Sequence, residues 1–143
     1  MEIKIRDVRA EDTNDITYIM KTSMKVETKN DIIKKHIEEI DNKNEVMYVA
    51  TIDDKVVGVI QAEKYRLLYA DKKANVLALA IDNNYQGLGI GKKLIEEVEK
   101  WTKKIGYKTI RLNSGIERIN AHKFYKHLGF TEEKKQIRFS KEI

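Results

Sequence analysis

The pattern of apolar and polar positions begins as that of a strand and then becomes helical. In residues 3–8 the apolar Ile3 and Ile5 alternate with charged residues, with Val8 off the alternation, which predicts a first strand. Apolar residues then recur at helical spacing over residues 11–24 and 29–40, which predicts two amphipathic helices. Each predicted helix begins with short polar residues that can accept a hydrogen bond from an N–H group of the first turn. We expect N-caps at these positions: Asp12 or Thr13 in the first helix, and Asn30 or Asp31 in the second.

The middle of the chain returns to the pattern of strands. Residues 45–52 and 56–65 are rich in valine, isoleucine and tyrosine, and a tight turn at residues 53–55 joins them. Residues 66–75 are expected to form a loop or hairpin tip. The run "VLALAID" at residues 76–82 is apolar on both faces, which predicts a central strand.

The strongest helical pattern follows, at residues 91–106, and Gly106 is expected just past its end. Its apolar stripe consists of Ile90, Leu94, Val98, Trp101 and Ile105. Later segments predict a strand at residues 108–114, a short helix from an Asn120 cap to Gly129, and a last strand at residues 135–143. The predicted order, β-α-α-β-β-β-α-β-α-β, indicates a mixed α/β fold in one domain over residues 1–143.

Composition narrows the class of protein. The 143 residues include no cysteine, which excludes disulfides, thiolate metal sites and a cysteine nucleophile. No histidine spacing indicates a metal site, so none is expected. No apolar run approaches the roughly 20 residues that span a bilayer, and the N-terminus lacks the apolar segment of a signal peptide. We therefore expect a cytoplasmic globular protein with no membrane partner.

The net charge of +5 first suggests a nucleic-acid partner. The 28 basic and 23 acidic residues are interleaved, however, and no long basic block is present. This favours a mixed-charge surface without nucleic-acid binding, and it leaves room for a small local phosphate site.

The segment "YQGLGIGKK", residues 85–93, is the most informative stretch for chemistry. It joins an apolar strand to a long helix, so its backbone N–H groups at residues 88–92 lack helical acceptors and carry the positive end of the helix dipole. Neither the P-loop spacing nor the dinucleotide spacing fits its glycines. A pyrophosphate is the predicted ligand. The alternative is a glycine-rich turn that only allows the helix to pack closely on the sheet.

Two segments resemble the GNAT family of N-acetyltransferases. Gln86-x-x-Gly89-x-Gly91 resembles its acetyl-CoA loop, and "AHKFYKHLGF" at residues 121–130 is similar to its C-terminal A-x-x-F-Y-x-x-x-G-F segment. The run "SGIERINAHKFYKHLGF" looks more like a branch that includes aminoalkylphosphonate N-acetyltransferases and other small-molecule acetyltransferases. The resemblance covers essentially the whole chain.

The resemblance implies that acetyl-CoA lies between two splayed central strands, here residues 76–82 and 109–114. The pantetheine arm is expected to pair with the exposed edge of the first strand, and the pyrophosphate to sit at residues 88–92. Family tendency also implies a homodimer. The implied cofactor-binding residues are Leu79, Ala80, Ile81, Gln86, Gly87, Leu88, Gly89, Ile90, Gly91, Lys92, Asn113, Asn120, His122 and Tyr125.

The resemblance also implies direct attack by the acceptor amine, with Tyr125 as the acid that protonates the leaving thiolate. Tyr125 could instead be a half-buried helix residue that packs beside Phe124. Many family members carry a glutamate as base on the central strand, but this chain has Ala78 at the expected position. Glu63 on the preceding strand is the one carboxylate we name as a candidate base, with water as the alternative.

A second departure lies seven residues before Tyr125, where many members have asparagine and this chain has Arg118. Arg118 could hold a phosphate or carboxylate, and His122 could face the thioester region. Both could equally be ordinary surface and helix residues, and Asn120 could be a plain N-cap.

These observations favour an acetyl-CoA-dependent N-acetyltransferase that acts on a primary amine of a small molecule through a ternary complex. One alternative is a protein N-terminal or lysine acetyltransferase. The other is a CoA-binding module without catalysis, which the missing strand carboxylate motivates. The sequence leaves the acceptor open.

Overall fold

The computed structural model describes residues 1–143, and their elements follow the predicted order as far as residue 127. The chain divides into two compact units, residues 1–112 and 113–143. One domain over residues 1–143 therefore stays a prediction. None of the helices is both long and apolar enough to cross a bilayer. The elements are β1 (Ile3–Asp7), α1 (Thr13–Thr22), α2 (Asn30–Glu38), β2 (Glu45–Ile52), β3 (Lys55–Tyr65), β4 (Lys73–Ile81), α3 (Ile90–Lys104), β5 (Ile110–Leu112) and α4 (Ile119–His127).

The five strands form one mixed sheet in the order β1-β2-β3-β4-β5. The first four strands pair antiparallel, and Asp53 and Asp54 make the β2–β3 turn with positive φ angles of 50° and 65°. β5 is parallel to β4 and pairs with it at only three positions, from Ala74↔Ile110 to Val76↔Leu112. β5 ends at Leu112, so the rest of β4 has no strand partner on this side. The mixed sheet confirms the predicted α/β fold, and the splayed central strands stay a prediction.

The helices of the first unit cover both faces of the sheet. Residues of α1 and α2, such as Ile16, Ile19 and Ile37, pack in one buried cluster with Val49 and Val59 of the sheet. On the other face, a Cβ built on Gly58 would come within 3.0 Å of the Ile90 side chain in α3. Glycine at position 58 therefore allows α3 to lie close to the sheet. The predicted stripe of α3 is buried from Ile90 to Trp101, and Ile105 is half-buried.

Two predicted helix caps are wrong. The N-cap of α2 is Lys29 and that of α4 is Arg118, and neither side chain makes a capping hydrogen bond. Asn30, Asp31 and Asn120 instead lie inside the first turns. Asp31 there still interacts favourably with the helix dipole without capping the helix.

Two strand predictions also need correction. β4 begins at Lys73 rather than at residue 76, because Ala74 and Asn75 are buried and pair with β3 on one side and β5 on the other. The predicted last strand at residues 135–143 is wrong. Residues 131–143 carry no regular structure and are exposed, because the alternation at Ile137 and Phe139 has no neighbouring strand to pair with.

Candidate functional site

The far half of β4 has an open edge. The backbone N–H of Asp82 donates to the carbonyl of Val57 at 2.8 Å, and the antiparallel register continues through Ala80 and Ala78. Because backbone groups alternate along a strand, those of Leu79 and Ile81 point away from β3. No strand pairs with this edge beyond Val76. The structure thus places backbone groups of Leu79 and Ile81 at an edge without a strand partner, where the pantetheine contacts are predicted. Of these groups, the Ile81 carbonyl already accepts a hydrogen bond from a side chain of the glycine loop.

Two predicted cofactor residues have other neighbours in this structure. Ala80 turns its backbone groups to β3 and belongs to the buried cluster on the α1 face. The side-chain amide nitrogen of Gln86 donates to the Ile81 carbonyl at 3.0 Å, which ties the glycine loop to the end of β4. Their contacts with a cofactor stay predictions.

The glycine loop leaves open space around its backbone. Gly87 and Gly89 have φ angles of +76° and +82°, and a Cβ added at either would have no neighbour within 4 Å. Left-handed backbone of this kind favours glycine. Gly91 lies buried in the first turn of α3 and has no positive φ. Two glycines therefore shape the loop, while the third lies at the start of the helix.

The start of α3 has the donors and the charge of an anion site. Its N-cap is Gly89, which has no side chain, and the first intrahelical bond runs from the Lys93 N–H to the Gly89 carbonyl. The N–H groups of residues 88–92 donate to no other group of the protein. The first turn contains no acid, and Lys92 and Lys93 are exposed there. Cations at a helix N-terminus oppose its dipole, so an anion would relieve the site. These residues fit a pyrophosphate.

In the second unit, Tyr125 lies between two aromatic rings. Its ring meets those of Phe124 and Phe130 edge-on, at centroid distances of 5.3 and 5.6 Å. Gly129, with a φ of +94°, reverses the chain so that the Phe130 N–H donates to the Tyr125 carbonyl at 3.0 Å. Burial raises the pKa of the Tyr125 hydroxyl, and the positive charge of Arg118 offsets only part of this rise. The hydroxyl is therefore protonated at neutral pH and can act as a donor.

The segment before α4 is held by His122. Its Nε2 lies 2.8 Å from the Gly115 carbonyl, and since a carbonyl only accepts, Nε2 carries the proton. The Arg118 N–H donates to the same carbonyl at 3.0 Å. This gives His122 a local role in the turn. Asn113 and Asn120 are exposed. Cofactor contacts by His122, Asn113 and Asn120 stay predictions.

Glu63 lies in a polar cluster that the sequence analysis did not find. Its Oε2 accepts a hydrogen bond from the Asn75 side-chain nitrogen at 2.9 Å, and the Asn75 oxygen accepts one from Arg111 at 2.7 Å. The Arg111 guanidinium also lies 4.5 Å from the centre of the Tyr65 ring. These residues are far apart in sequence. In the sequence, this cluster could be found only by pairing residue 63 with residue 75 across the β3–β4 hairpin. That pairing depends on the start of β4 at Lys73.

Comparison with known proteins gives one family match. A model of the Acetyltransferase (GNAT) family matches residues 14–130. N-acetylaspartate synthetase of Xenopus tropicalis is 34% identical over 83 residues, which cover 58% of this chain and 30% of that protein. The chain thus spans about 30% of the length of this curated relative.

Solved structures share the fold. A transcriptional regulator from Bacillus halodurans C-125 superposes with a TM-score of 0.85 at 20% identity, over 97% of this chain and 99% of that one. An aminoglycoside N-acetyltransferase in complex with CoA does so with a TM-score of 0.85 at 18% identity, over 99% of this chain and 96% of that one. At such low identity these likenesses show the fold alone.

Proposed function

Because the chain belongs to the acetyltransferase (GNAT) family, we propose that it transfers the acetyl group of acetyl-CoA to a primary amine of a small molecule. The observation that carries the proposal is the set of unbonded N–H groups at residues 88–92, beside the open edge of β4. The N–H groups at residues 88–92 offer donors for an anion, and the open edge of β4 offers backbone partners for an extended chain.

Each part of the site has a distinct role in this proposal. The N–H groups of residues 88–92, with Lys92, hold the pyrophosphate. Backbone groups of Leu79 and Ile81 hold the pantetheine arm as a strand-like partner. A Leu79 N–H at this edge can also stabilise negative charge on a carbonyl oxygen. Acetyl-CoA supplies the activated acetyl group as a thioester.

The transfer forms one C–N bond and breaks one C–S bond. An ammonium acceptor first gives a proton to the Glu63 carboxylate, and the amine attacks directly in a ternary complex. Tyr125 gives its proton to the departing thiolate, and the second proton from nitrogen restores the tyrosine. The proton on Glu63 then passes to water. Net release of one proton balances the reaction, and no protein nucleophile is needed.

A small-molecule acceptor is favoured over a protein because both named enzymes above, N-acetylaspartate synthetase and an aminoglycoside N-acetyltransferase, have names that refer to small molecules. The acceptor itself is tested with a panel. Thiol release from acetyl-CoA is measured with polyamines, aminoglycosides, aminophosphonates, amino acids and peptides. Release with small amines supports the proposal, while activity with peptides alone would indicate a protein acetyltransferase.

Calorimetric titration with CoA tests the donor site independently of the acceptor. We expect binding tighter than millimolar. Weaker binding would overturn the cofactor assignment, whereas tight binding without turnover on any acceptor would indicate a CoA-binding module. The predicted homodimer and cytoplasmic location are separate proposals, and sedimentation velocity measures the first of them.

A further inference from the structure

A continuous line of polar side chains crosses three strands of the sheet on one face. Glu63 of β3, Asn75 of β4 and Arg111 of β5 are register partners, and they are joined by hydrogen bonds of 2.9 and 2.7 Å. Asn75 is only 7% exposed, so both ends of its amide are held inside the protein. A buried amide with both ends satisfied is rigid, because any rotation would leave a polar atom unpaired.

The bonds in this line have a fixed direction. A guanidinium can only donate, so Arg111 fixes the oxygen of Asn75 on its own side. The nitrogen of Asn75 then faces Glu63 and donates to it. A donor is the partner that an ionised carboxylate requires. Arg111 therefore determines, through Asn75, that the Glu63 oxygen is met by a hydrogen-bond donor.

The line crosses the sheet close to the point where the pairing of β4 with β5 ends. Asn75↔Arg111 is the middle one of the three β4–β5 pairs, and the open edge starts two residues further along β4. Gln61, on the same face as Glu63, pairs with Ala78 in this open stretch. From Ile81 back to Leu77 the edge is roughly 13 Å long. An extended chain anchored at the glycine loop and running along this edge would reach toward the Asn75–Arg111 pair, one strand away from Glu63.

Only one oxygen of the carboxylate is engaged. Oε2 of Glu63 accepts from Asn75, while Oε1 accepts from no group of the protein, and the side chain is half-buried. The groups around it are Gln61 and Tyr65 on its own strand, Glu45 as its register partner on β2, and Asn75 on β4. One anchored and one unbonded oxygen suit a group that must accept a proton from a ligand at a fixed position.

We propose that Asn75 and Arg111 are positioning residues that hold the Glu63 carboxylate as the proton acceptor for the attacking amine. This inference rests on the proposed acetyl transfer. The step converts an ammonium and a carboxylate into a neutral amine and a carboxylic acid, so one N–H bond breaks and one O–H bond forms. The competing explanation is a structural one, in which the polar line only fastens β5 to the sheet.

A double-mutant cycle separates these explanations. Asn75→Asp keeps the shape of the side chain and its partner Arg111, but it cannot donate to an ionised Glu63. We expect kcat to fall about tenfold, as for loss of a hydrogen bond to a charged group. Glu63→Gln should lower kcat about a hundredfold. In the Glu63→Gln background, Asn75→Asp should add less than about a twofold loss, because it acts through Glu63.

Further variants guard against a general loss of structure. Arg111→Lys keeps the charge but not the forked guanidinium, and we expect a smaller fall in kcat than for Asn75→Asp. The KM for acetyl-CoA should stay within about twofold in all of these variants, because the glycine loop is untouched. Asn14→Asp on the exposed face of α1 is the matched control for the change of charge.

The outcomes distinguish this inference from the function on which it rests. Turnover that Glu63→Gln leaves unchanged overturns the inference and removes Glu63 as the proton acceptor, while acetyl transfer itself stands. Equal losses from Asn75→Asp in both backgrounds indicate the structural explanation and also overturn it. An unmodified protein that binds CoA but acetylates no amine overturns the inference together with the proposed function.

Discussion

Tyr125 is the side chain for which we propose proton donation, and two aromatic rings pack against it. Its pKa is raised by burial, so the hydroxyl keeps its proton at neutral pH and is available to donate it as the C–S bond breaks. Tyr125→Phe removes only the oxygen and preserves the edge-on packing against Phe124 and Phe130. We expect turnover to fall about tenfold or more, as for loss of a general acid. Steady-state kinetics with a small amine measures this.

CoA affinity should stay within about twofold in Tyr125→Phe, because the ring still fills the same space. Tyr18→Phe on α1 is the matched control, since Tyr18 is 54% exposed and is none of the proposed cofactor-binding or catalytic residues. Turnover unchanged in Tyr125→Phe would remove this residue from the mechanism.

Asp12 is a residue whose charge matters for stability rather than chemistry. Burial alone would raise the pKa of its carboxyl, but the two hydrogen bonds of 2.8 Å from Arg6 and the bond from the Arg9 N–H outweigh it. The net pKa is lowered. Asp12→Asn leaves the half-buried Arg6 without its partner. We therefore expect the free energy of unfolding, measured with urea at pH 7, to fall by about 2 kcal/mol.

The pH dependence of this effect follows from the sign of the shift. A carboxyl whose pKa is lower in the folded state contributes stability above its unfolded pKa of 3.8, and this contribution is lost as pH falls through the folded value. The difference between the native protein and Asp12→Asn should therefore shrink when urea unfolding is repeated near pH 3. Asp15→Asn, exposed on the same helix, should change little at either pH. A difference that grows on acidification would contradict this account.

At the scale of elements, α3 offers an internal comparison between its two ends. Gly89 and Gly106 both have a φ of +82° and no neighbour within 4 Å of an added Cβ, and they flank the start and the end of the same helix. Alanine at either position costs about 1 kcal/mol of stability. Only Gly89→Ala disturbs the N–H groups at residues 88–92. We therefore expect Gly89→Ala to bind CoA about tenfold more weakly, and Gly106→Ala to bind it with unchanged affinity. Calorimetric titration of both variants with CoA measures this. Equal affinities would show that the glycine loop does not bind the ligand.

The elements also show what could be predicted from local sequence. The period of α3, the turn at Asp53 and Asp54, and the glycine loop are encoded by neighbouring residues, and the structure has them where predicted. The prediction of a last strand is wrong because an alternating segment forms a strand only beside a partner strand. A short segment of sequence does not show whether such a partner is present. The predicted caps of α2 and α4 are wrong because Asn30 and Asn120 stand one and two positions past the actual caps, and local sequence does not fix a helix end more closely than that.

The candidate site likewise has a part that local sequence predicts and a part that depends on contacts between strands. Residues 88–92 form a local donor site that follows from one loop and one helix. Glu63 could be named because it is a carboxylate on a strand, but its partners Asn75 and Arg111 come from two other strands. Their contact depends on the register of β4 between β3 and β5. Such non-local pairs cannot be read from periodicity, and this is why the positioning residues emerged only with the structure.

At the scale of the whole molecule, a ligand that binds only the folded chain must raise its melting temperature. The proposed site for CoA uses both the start of α3 and the open edge of β4, so the unfolded chain has no equivalent. At a CoA concentration of 100 times Kd the stabilisation is about 2.7 kcal/mol, which for a domain of this size corresponds to about 8 °C. Inorganic pyrophosphate uses only the donors at α3 and should give a smaller rise. Differential scanning calorimetry with both ligands measures the two contributions, and equal shifts would mean that the open edge of β4 contributes nothing to binding.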